Sequence, residues 1–278
     1  MILDSPNKKS TPIYGFSQIK ARKSLGQNFL IDPNIIRKIV DAGQLSLRDV
    51  VLEIGPGLGA LTHKIAQNVK HLIAVETDLN LYKKLSEDVV NTNITLIHED
   101  FLKYDFKKLP QNMKLIGNIP YYISSPIVNK ILEHREHFSQ VFLTVQLEFA
   151  KRLCAQVNTK DYSSLSCFVQ YFSKVEILFK IKNTCFKPSP KVDSCFVKLS
   201  PYESLPLKAR NEELLFKMIR NSFQQRRKML SKTLLGVISD RHSIDAILYR
   251  LNLGPGLRPE NLTLKNFVDL ADAIGEIA

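Results

Sequence analysis

The order of apolar and polar positions along the chain changes character near residue 200. Between residues 50 and 200, short β-branched and aliphatic runs alternate with segments of helical period. These runs predict strands at 50–54, 71–75, 94–97, 113–116 and 141–145, and helices at 60–68, at 81–89 and from Ser124 and Glu148. Strands that alternate with helices on short connections form a parallel sheet covered on both faces. Two later runs, 175–181 and 194–199, have no helix between them, which predicts an antiparallel pair at one sheet edge.

After Pro201 the pattern becomes wholly helical. The prolines at 201 and 206 indicate a linker, because neither position can continue a helix. Apolar residues at helical spacing then predict helices over 212–235, around 244–251 and over 264–274. We therefore expect a doubly wound α/β domain at 23–200 and a small all-helical domain at 201–278. Residues 1–22 form an N-terminal arm in this division.

Composition and charge narrow the class of protein. The chain has 278 residues, of which 44% are hydrophobic and 24% charged, as in an ordinary folded protein and unlike a disordered or collagen-like chain. Its net charge is +12, which favours a polyanionic partner, although a merely basic surface has the same charge. Residues 201–278 hold 12 basic and 9 acidic residues, a net charge of +3, so most of the excess lies upstream.

The cysteines and the N-terminus indicate a cytoplasmic protein. The four cysteines form neither C-x-x-C pairs nor clusters with histidine, so we expect reduced thiols and no metal site. No apolar run is long enough to cross a membrane, and the first 23 residues lack the apolar core of a secretory signal. We expect a monomer with no membrane association.

A glycine-rich turn and an acidic residue indicate a nucleoside-containing cofactor. Gly55-Pro56-Gly57-Leu58-Gly59 follows the first strand, where doubly wound sheets bind ligands. Pro56 lacks an N–H donor and the third glycine comes one residue early, so the turn is unlike a pyrophosphate-binding loop. Glu76 ends the next strand, 21 residues after Gly55, where a carboxylate accepts hydrogen bonds from a ribose diol.

Asp100 ends the third strand, where its carboxylate either accepts a hydrogen bond from an adenine amino group or caps the turn that follows. The position alone leaves both interpretations open.

The fourth strand leads into Gly117-Asn118-Ile119-Pro120-Tyr121-Tyr122, a combination that suits chemistry on an exocyclic amine. Such an amine is a poor nucleophile because its lone pair is delocalised into the ring. Two acceptors for its N–H groups localise that lone pair, and the Asn118 side chain and the backbone carbonyl of Ile119 supply them. Pro120 restricts the backbone here, and Tyr121 offers an aromatic face to a flipped base.

Six motifs resemble the ribosomal RNA adenine dimethyltransferase family, and together they cover the chain from about residue 20 to its end. They are Lys23-Ser24-Leu25-Gly26-Gln27-Asn28-Phe29-Leu30, the segments 53–59 and 118–121, Phe186-Lys187-Pro188-Ser189-Pro190-Lys191-Val192-Asp193-Ser194, Phe223-Gln224-Gln225-Arg226-Arg227-Lys228 and Arg258-Pro259-Glu260-Asn261-Leu262. The resemblance implies a Rossmann-like class I methyltransferase fold that uses S-adenosylmethionine.

The resemblance also assigns roles to individual residues. For the cofactor it implies that Asn28 and Leu30 close over it and that Gly55 backs it. By the same resemblance, Glu76 binds its ribose and Asp100 its adenine, and Asn118 lies between the cofactor and the target base. It implies that Tyr121 and Phe186 are the two faces of a base-stacking clamp. Spacing alone favours a core position for Phe186.

A basic stripe in the helical region is the predicted RNA contact. Lys217, Arg220, Gln224 and Arg227 lie 3, 4 and 3 residues apart, so they share one face of a continuous helix, with Arg226 and Lys228 beside it. Such a stripe is most often a solvated face. The RNA-methylating domain that the resemblance implies upstream makes contact with the RNA backbone the better interpretation.

Within the family, the spelling of the first motif and of the Gln-Gln-Arg-Arg-Lys segment is similar to the bacterial small-subunit enzyme. The resemblance therefore implies dimethylation of N6 of two adjacent adenosines in the 3′-terminal hairpin of 16S rRNA, with a role in small-subunit biogenesis. Position 119 is Ile, whereas the small-subunit enzyme usually has Leu there; the relatives that act on 23S rRNA often have Ile at this position. A 23S rRNA methyltransferase and a non-catalytic assembly factor stay as alternatives. The glycine spacing disfavours an NAD-dependent oxidoreductase.

Overall fold

The structure is a computed structural model that describes residues 21–22, 25–89, 93–254 and 256–277. Most of the N-terminal arm, 1–22, lies outside the described residues. The strands of the described chain are, in order, β1 Phe29–Leu30, β2 Val50–Ile54, β3 His71–Glu76, β4 Ile94–His98, β5 Met113–Asn118, β6 Phe138–Gln146, β7 Ser173–Ile181, β8 Phe186–Lys187 and β9 Ser194–Pro201. The helices are α1 Pro33–Ala42, α2 Thr62–Ala66, α3 Leu79–Asp88, α4 Ser124–Glu133, α5 Leu147–Leu153, α6 Ser164–Phe172, α7 Glu212–Gln224, α8 Leu230–Leu234, α9 Arg241–Arg250 and α10 Leu264–Gly275.

Seven of the strands form one sheet in the order β4-β3-β2-β5-β6-β9-β7. From β4 to β6 all neighbours are parallel, whereas β9 runs antiparallel to both β6 and β7. The predicted mostly parallel sheet with an antiparallel edge is confirmed. Because β3 and β5 flank β2 on opposite sides, the ends of β2, β3, β4 and β5 converge where the strand order reverses.

Three elements that lie outside the main sheet, helix α1 and strands β1 and β8, were not predicted. Helix α1 begins after Asp32, whose carboxylate accepts hydrogen bonds from the backbone N–H groups of Asn34 and Ile35. The two-residue strands β1 and β8 pair antiparallel, with Leu30 opposite Phe186. This pairing joins the segment before α1 to the loop between β7 and β9, although 156 residues separate the two partners in sequence.

The helical region packs against the α/β part through aromatic contacts. The ring of Phe216 on α7 lies 5.2 Å from that of Phe168 and 5.3 Å from that of Tyr171, both on α6. The Tyr171 hydroxyl accepts a hydrogen bond from the backbone N–H of Ala209 and donates one to Glu212, which holds the start of α7. Buried side chains form one continuous apolar core across this contact.

The prediction of a single helix over 212–235 is wrong. Helix α7 ends at Gln224, and α8 begins at Leu230 after a turn. Two long-range hydrogen bonds hold that turn: the Leu230 N–H donates to the Leu257 carbonyl at 2.7 Å, and the Arg226 guanidinium donates to the Lys160 carbonyl at 3.1 Å. Local periodicity does not predict such distant partners. The helical spacing of apolar residues therefore continues through a turn that interrupts the helix.

Candidate functional site

Two adjoining cavities lie at the carboxyl ends of β2, β3 and β5. The first, here called the asparagine cavity, has a volume of about 60 Å³ and contains Asn118. The second, here called the aspartate cavity, has a volume of about 250 Å³ and contains Asp100. Residues on their shared wall line both cavities: Gln27, Gly55, Glu76 and Pro120. The two cavities thus form one bent site with Glu76 at its middle.

The glycine-rich turn after β2 supplies backbone to this site. Gly55, Gly57 and Gly59 all have positive φ, between 60° and 79°. At Gly59 a β-carbon would lie 2.6 Å from Cδ1 of Leu85, so no larger residue fits against α3 there. The turn thereby places the Gly57 N–H where it donates a 3.0 Å hydrogen bond to the Glu76 carboxylate.

Glu76 is the buried carboxylate of the site. One oxygen accepts a hydrogen bond from the Gly57 N–H and the other from the Asp78 N–H, at 3.0 and 2.8 Å. Burial raises the pKa of Glu76, while these two backbone hydrogen bonds oppose the shift. Each carboxylate oxygen has a second lone pair, so the group can still accept hydrogen bonds from a pair of hydroxyls.

Asp100 both caps a turn and faces the aspartate cavity. Its Oδ1 accepts a hydrogen bond from the Leu102 N–H at 2.9 Å, which is the capping role that the sequence left open. The side chain also lines the aspartate cavity, whose apolar walls include Val75 and Phe101. Lys130 holds the same loop by donating to the carbonyls of Leu102 and Tyr104. The second carboxylate oxygen of Asp100 is left as an acceptor for a ligand.

Asn118, the last residue of β5, lines the asparagine cavity in a defined orientation. Its amide nitrogen donates a 2.9 Å hydrogen bond to the backbone carbonyl of Asn28, so the amide oxygen is the free end. No described residue donates a hydrogen bond to that oxygen. The acceptor role that the sequence predicts for Asn118 requires this oxygen, and that role stays a prediction.

Tyr121 lines the same cavity, and its hydroxyl is engaged elsewhere. The hydroxyl lies 2.7 Å from Oγ of Ser194 on β9. Burial raises the pKa of Tyr121, with the Ser194 hydrogen bond opposing the shift, so the phenol stays protonated at neutral pH. This hydrogen bond orients the ring and leaves its faces as the part available to a substrate.

Leu30 and Phe186 line neither cavity. Their strands pair with each other, and the two side chains are 3% and 2% exposed within the apolar core that also contains Phe142 and Phe196. The core position that spacing favoured for Phe186 is what the structure shows. A stacking role for Phe186 requires its ring to leave this packing.

Sequence reasoning gave no role to several residues that line or brace the site. Gln27 lies on the shared wall, and Tyr122 packs its ring against Gly26, where a β-carbon would lie only 2.9 Å away. Asp78 and Glu53 are buried beside Glu76. An acid two residues after Glu76 was a usable signal for Asp78. The predicted sheet, covered on both faces, already placed Glu53 in the interior, although the sequence analysis gave it no role.

The predicted RNA-contacting residues divide between a helix and a turn. Lys217 and Arg220 are exposed on α7, as predicted, but Arg227 and Lys228 are exposed in the turn that follows it. The stripe therefore does not continue along one helix face as far as Arg227. Arg226 is half-buried because its guanidinium binds the Lys160 carbonyl and lies 5.9 Å from the Phe223 ring.

A cleft of about 650 Å³ separates α7 from α5 and the start of α6. Two of the predicted basic residues, Arg220 and Arg226, line it together with Arg152 and Lys160. Glu148 and Asp161 lie in the same lining and partly offset the positive charge. The cleft joins the two predicted domains with basic side chains from both.

The chain matches known proteins over nearly its whole length. The model of the family described as ribosomal RNA adenine dimethylase matches residues 18–273. The chain belongs to this family. Proteins named ribosomal RNA small subunit methyltransferase A are 37% identical in Clostridium botulinum (strain Loch Maree / Type A3), over 94% of this chain and 96% of that one, and 40% identical in Levilactobacillus brevis, over 92% and 90%.

Two solved structures agree with this family assignment. A dimethyladenosine transferase from Plasmodium falciparum superposes with a TM-score of 0.75 at 30% identity, covering 86% of this chain and 94% of that one. The 23S rRNA methyltransferase ErmE superposes with a TM-score of 0.69 at 28% identity, covering 89% and 100%. The class I methyltransferase fold and S-adenosylmethionine as the cofactor, both implied by the sequence motifs, are confirmed.

The cavities of this adenine dimethylase fit that cofactor. Buried Glu76 and partly exposed Asp100 are acceptors, apolar residues wall the larger cavity, and the glycine turn leaves room for close backbone approach. Among the described residues, no helix has the length and apolar character that crossing a membrane requires. No group of three or more potential metal ligands occurs in the same part of the chain.

Proposed function

We propose that this family member dimethylates N6 of two adjacent adenosines in the 3′-terminal hairpin of 16S rRNA, within the small ribosomal subunit or its precursor. The relatives that match more than 90% of the chain bear the name of the small-subunit enzyme. The observation that carries the chemistry is the orientation of Asn118, whose amide oxygen is held free in the asparagine cavity by the hydrogen bond to Asn28.

In this proposal the cofactor occupies both cavities, with its ribose at the shared wall. Glu76 accepts from the ribose hydroxyls, Asp100 accepts from the adenine amine in the aspartate cavity, and Gly55 lies behind the ligand. The asparagine cavity then holds the end that carries the methyl group, with Asn28 and Asn118 on its walls. Leu30 acts indirectly, because it is buried in the packing behind β1.

The chain's own contribution to the reaction is to prepare the amine. The bound cofactor supplies an electrophilic methyl group. In the first transfer the Asn118 amide oxygen and the Ile119 carbonyl accept hydrogen bonds from the two N–H groups of the target base, which localises the lone pair on N6. In the second transfer one of these acceptors binds the single N–H that remains. Tyr121 stacks on the base, and Phe186 completes the clamp when its ring leaves the core. The displaced amine proton passes to solvent, because Glu76, the carboxylate in the lining of the asparagine cavity, is engaged with the ribose in this proposal.

The basic residues of the helical region hold the RNA at a distance from the reacting base. Lys217, Arg220, Arg227 and Lys228 are exposed, and Arg226 lines the cleft beside Arg220. Phosphate contacts made by such side chains position RNA without reading its sequence. The cleft, with Arg152 and Lys160 opposite Arg220, extends this surface onto the α/β part.

Methyl transfer to unmethylated ribosomal subunits tests the proposal. Radiolabelled cofactor should label 16S rRNA in small-subunit particles, and mass spectrometry should locate two adjacent N6,N6-dimethyladenosines in the 3′-terminal hairpin. The Asn118→Ala variant is the control for contaminating activity. Label in 23S rRNA would instead assign the chain to the large-subunit methyltransferases. Cofactor binding without label in either RNA would favour a non-catalytic assembly factor.

A further inference from the structure

The segment before α1 crosses both cavities and is anchored on each side of them. Residues 25–30 together with Arg22 are here called the strap. At one end β1 pairs with β8, and the Asn28 carbonyl accepts the hydrogen bond from Asn118. At the other end Gln27 and Arg22 both contact Asp78, which directly precedes α3. The strap therefore covers the site between two fixed points.

Asp78 is a buried carboxylate with an unusual number of partners. It is 4% exposed and caps α3 by accepting a hydrogen bond from the Asn80 N–H at 2.9 Å. Its other oxygen accepts a 3.0 Å hydrogen bond from the Gln27 amide and lies 3.6 Å from Nε of Arg22. A helix cap needs only the first of these contacts, so the rest of the carboxylate is devoted to the strap.

Gln27 uses both ends of its amide in this contact. The nitrogen donates to Asp78, and the oxygen accepts a 2.7 Å hydrogen bond from the backbone N–H of Arg22. The amide orientation follows from these two partners, because the reverse orientation would direct N–H groups at an N–H donor. Gln27 thus connects two parts of the strap, through Arg22, and connects the strap to α3 through Asp78.

The same network reaches the proposed ribose-binding group. The backbone N–H of Asp78 donates a 2.8 Å hydrogen bond to Glu76, and Gln27 lies on the wall that the two cavities share. The asparagine cavity has about a quarter of the volume of the aspartate cavity, with strap residues 26–29 in its lining. A ligand in the smaller cavity therefore lies against the strap.

We propose that Asp78 and Gln27 form a latch that fastens the strap over the bound cofactor, with Asp78 as a positioning residue that contacts no reacting atom. This inference rests on the placement of the cofactor proposed above. A fastened strap slows the departure of the cofactor, and opening it requires the Gln27–Asp78 hydrogen bond to break. The latch determines how long the cofactor stays bound, while the contact of Glu76 with the ribose contributes most to the affinity.

A double-mutant cycle tests the latch. Gln27→Met keeps the length of the side chain and removes both hydrogen bonds, and Asp78→Ser keeps a good helix cap but is too short to reach the strap. Each variant should raise the dissociation rate of S-adenosylmethionine, followed by stopped-flow fluorescence or competition, by about tenfold, since each removes one charge-assisted hydrogen bond. The double variant should dissociate no faster than Asp78→Ser, because that single change already removes the Gln27–Asp78 hydrogen bond.

Hydrogen exchange in the cofactor-free protein gives a second readout. The backbone amides of Arg22 and of residues 25–30 should exchange faster in both single variants than in the wild type. Asp240→Ser is the matched control, because Asp240 caps α9 in the same way and makes no contact with the strap. It should change neither the exchange of this peptide nor the dissociation rate.

Three results would overturn the latch. These are an unchanged dissociation rate in Gln27→Met, effects of the two single variants that multiply in the double variant, and unchanged exchange at Arg22 and residues 25–30. If Asp78→Ser does not fold, the dissociation rate and the hydrogen exchange of Gln27→Met decide alone. Failure of the proposed function differs from all of these, because the wild type itself would then bind no cofactor or methylate no RNA.

Discussion

Glu53 offers a direct test of how this fold handles a buried charge. It lies on β2 with 1% of its surface exposed, and its Oε2 has no hydrogen-bond partner among the described residues. Burial raises the pKa of Glu53 to about 8; the nearby Thr62 hydroxyl opposes the shift, and the negative charge of Glu76 adds to it. The perturbation is Glu53→Gln, which keeps the shape and removes the titrating proton.

The sign and size of the effect follow from proton linkage. The unfolded chain loses the Glu53 proton near its ordinary pKa of 4.5, whereas the folded chain keeps it up to about 8. Between these values the folded protein binds one more proton than the unfolded chain, so this group makes the free energy of unfolding fall as pH rises. From pH 5 to pH 8 the loss due to Glu53 alone amounts to about 3 kcal/mol.

Urea denaturation at pH 5, 6, 7 and 8, followed by far-ultraviolet circular dichroism, measures this loss. At each pH, the unfolding free energy of Glu53→Gln is subtracted from that of the wild type. This difference should become more negative by about 3 kcal/mol across the series. The pH-independent cost of burying an amide in place of a carboxylic acid cancels from this trend. Glu87→Gln, at an exposed position on α3, is the control and should give a curve parallel to the wild type.

Parallel curves for wild type and Glu53→Gln would refute the reasoning. They would mean that Glu53 titrates alike in the folded and unfolded chains, and therefore that water or a rearranged Thr62 solvates the carboxylate. A difference that grows in the opposite direction would mean that the folded protein stabilises the ionised form.

Three further predictions concern the proposed site. Glu76→Ala should weaken cofactor binding by about 10- to 100-fold in calorimetry, since it removes charge-assisted hydrogen bonds to the ribose, and an unchanged affinity with the fold intact would remove Glu76 from the site. Asn118→Ala should lower the single-turnover methyl-transfer rate by about 100-fold or more while RNA binding persists, and near-normal turnover would contradict the acceptor mechanism. Arg220→Gln and Arg227→Gln should each weaken RNA binding and flatten the plot of log affinity against log salt by somewhat less than about one unit. Arg250→Gln is their control, because Arg250 already pairs with Glu276 at 3.2 Å and should leave the slope unchanged.

The residues at strand ends were the most predictable part of the site. Runs of aliphatic residues located the parallel strands, and parallel strands bring their carboxyl ends to one edge. Gly55, Glu76 and Asn118 therefore lie together in the structure as their positions after successive strands indicated. Asp100 joined them with its predicted second role as a cap.

The least predictable residues are those whose partners lie far away in sequence. Gln27 meets Asp78 across 51 residues, and Arg226 meets the Lys160 carbonyl across 66. The polarity of a side chain does not reveal which group, distant in sequence, will form a hydrogen bond with it. For the same reason the pattern indicated neither the strand pair β1–β8 nor the burial of Phe186 that accompanies it.

The sequence by itself determined the fold class, the cofactor and the chemical types at the site, because hydrophobic periodicity and motif spelling are local properties of the chain. Only the tertiary structure decided which ends of those side chains are free. Asn28 accepts from the Asn118 amide nitrogen and leaves the amide oxygen without a described donor, and Ser194 occupies the Tyr121 hydroxyl. The Leu257 carbonyl accepts from the N–H of Leu230, where α8 begins after the turn that interrupts the predicted long helix. Each of these outcomes depends on a hydrogen bond between segments that meet only after folding, and no local pattern encodes such a meeting.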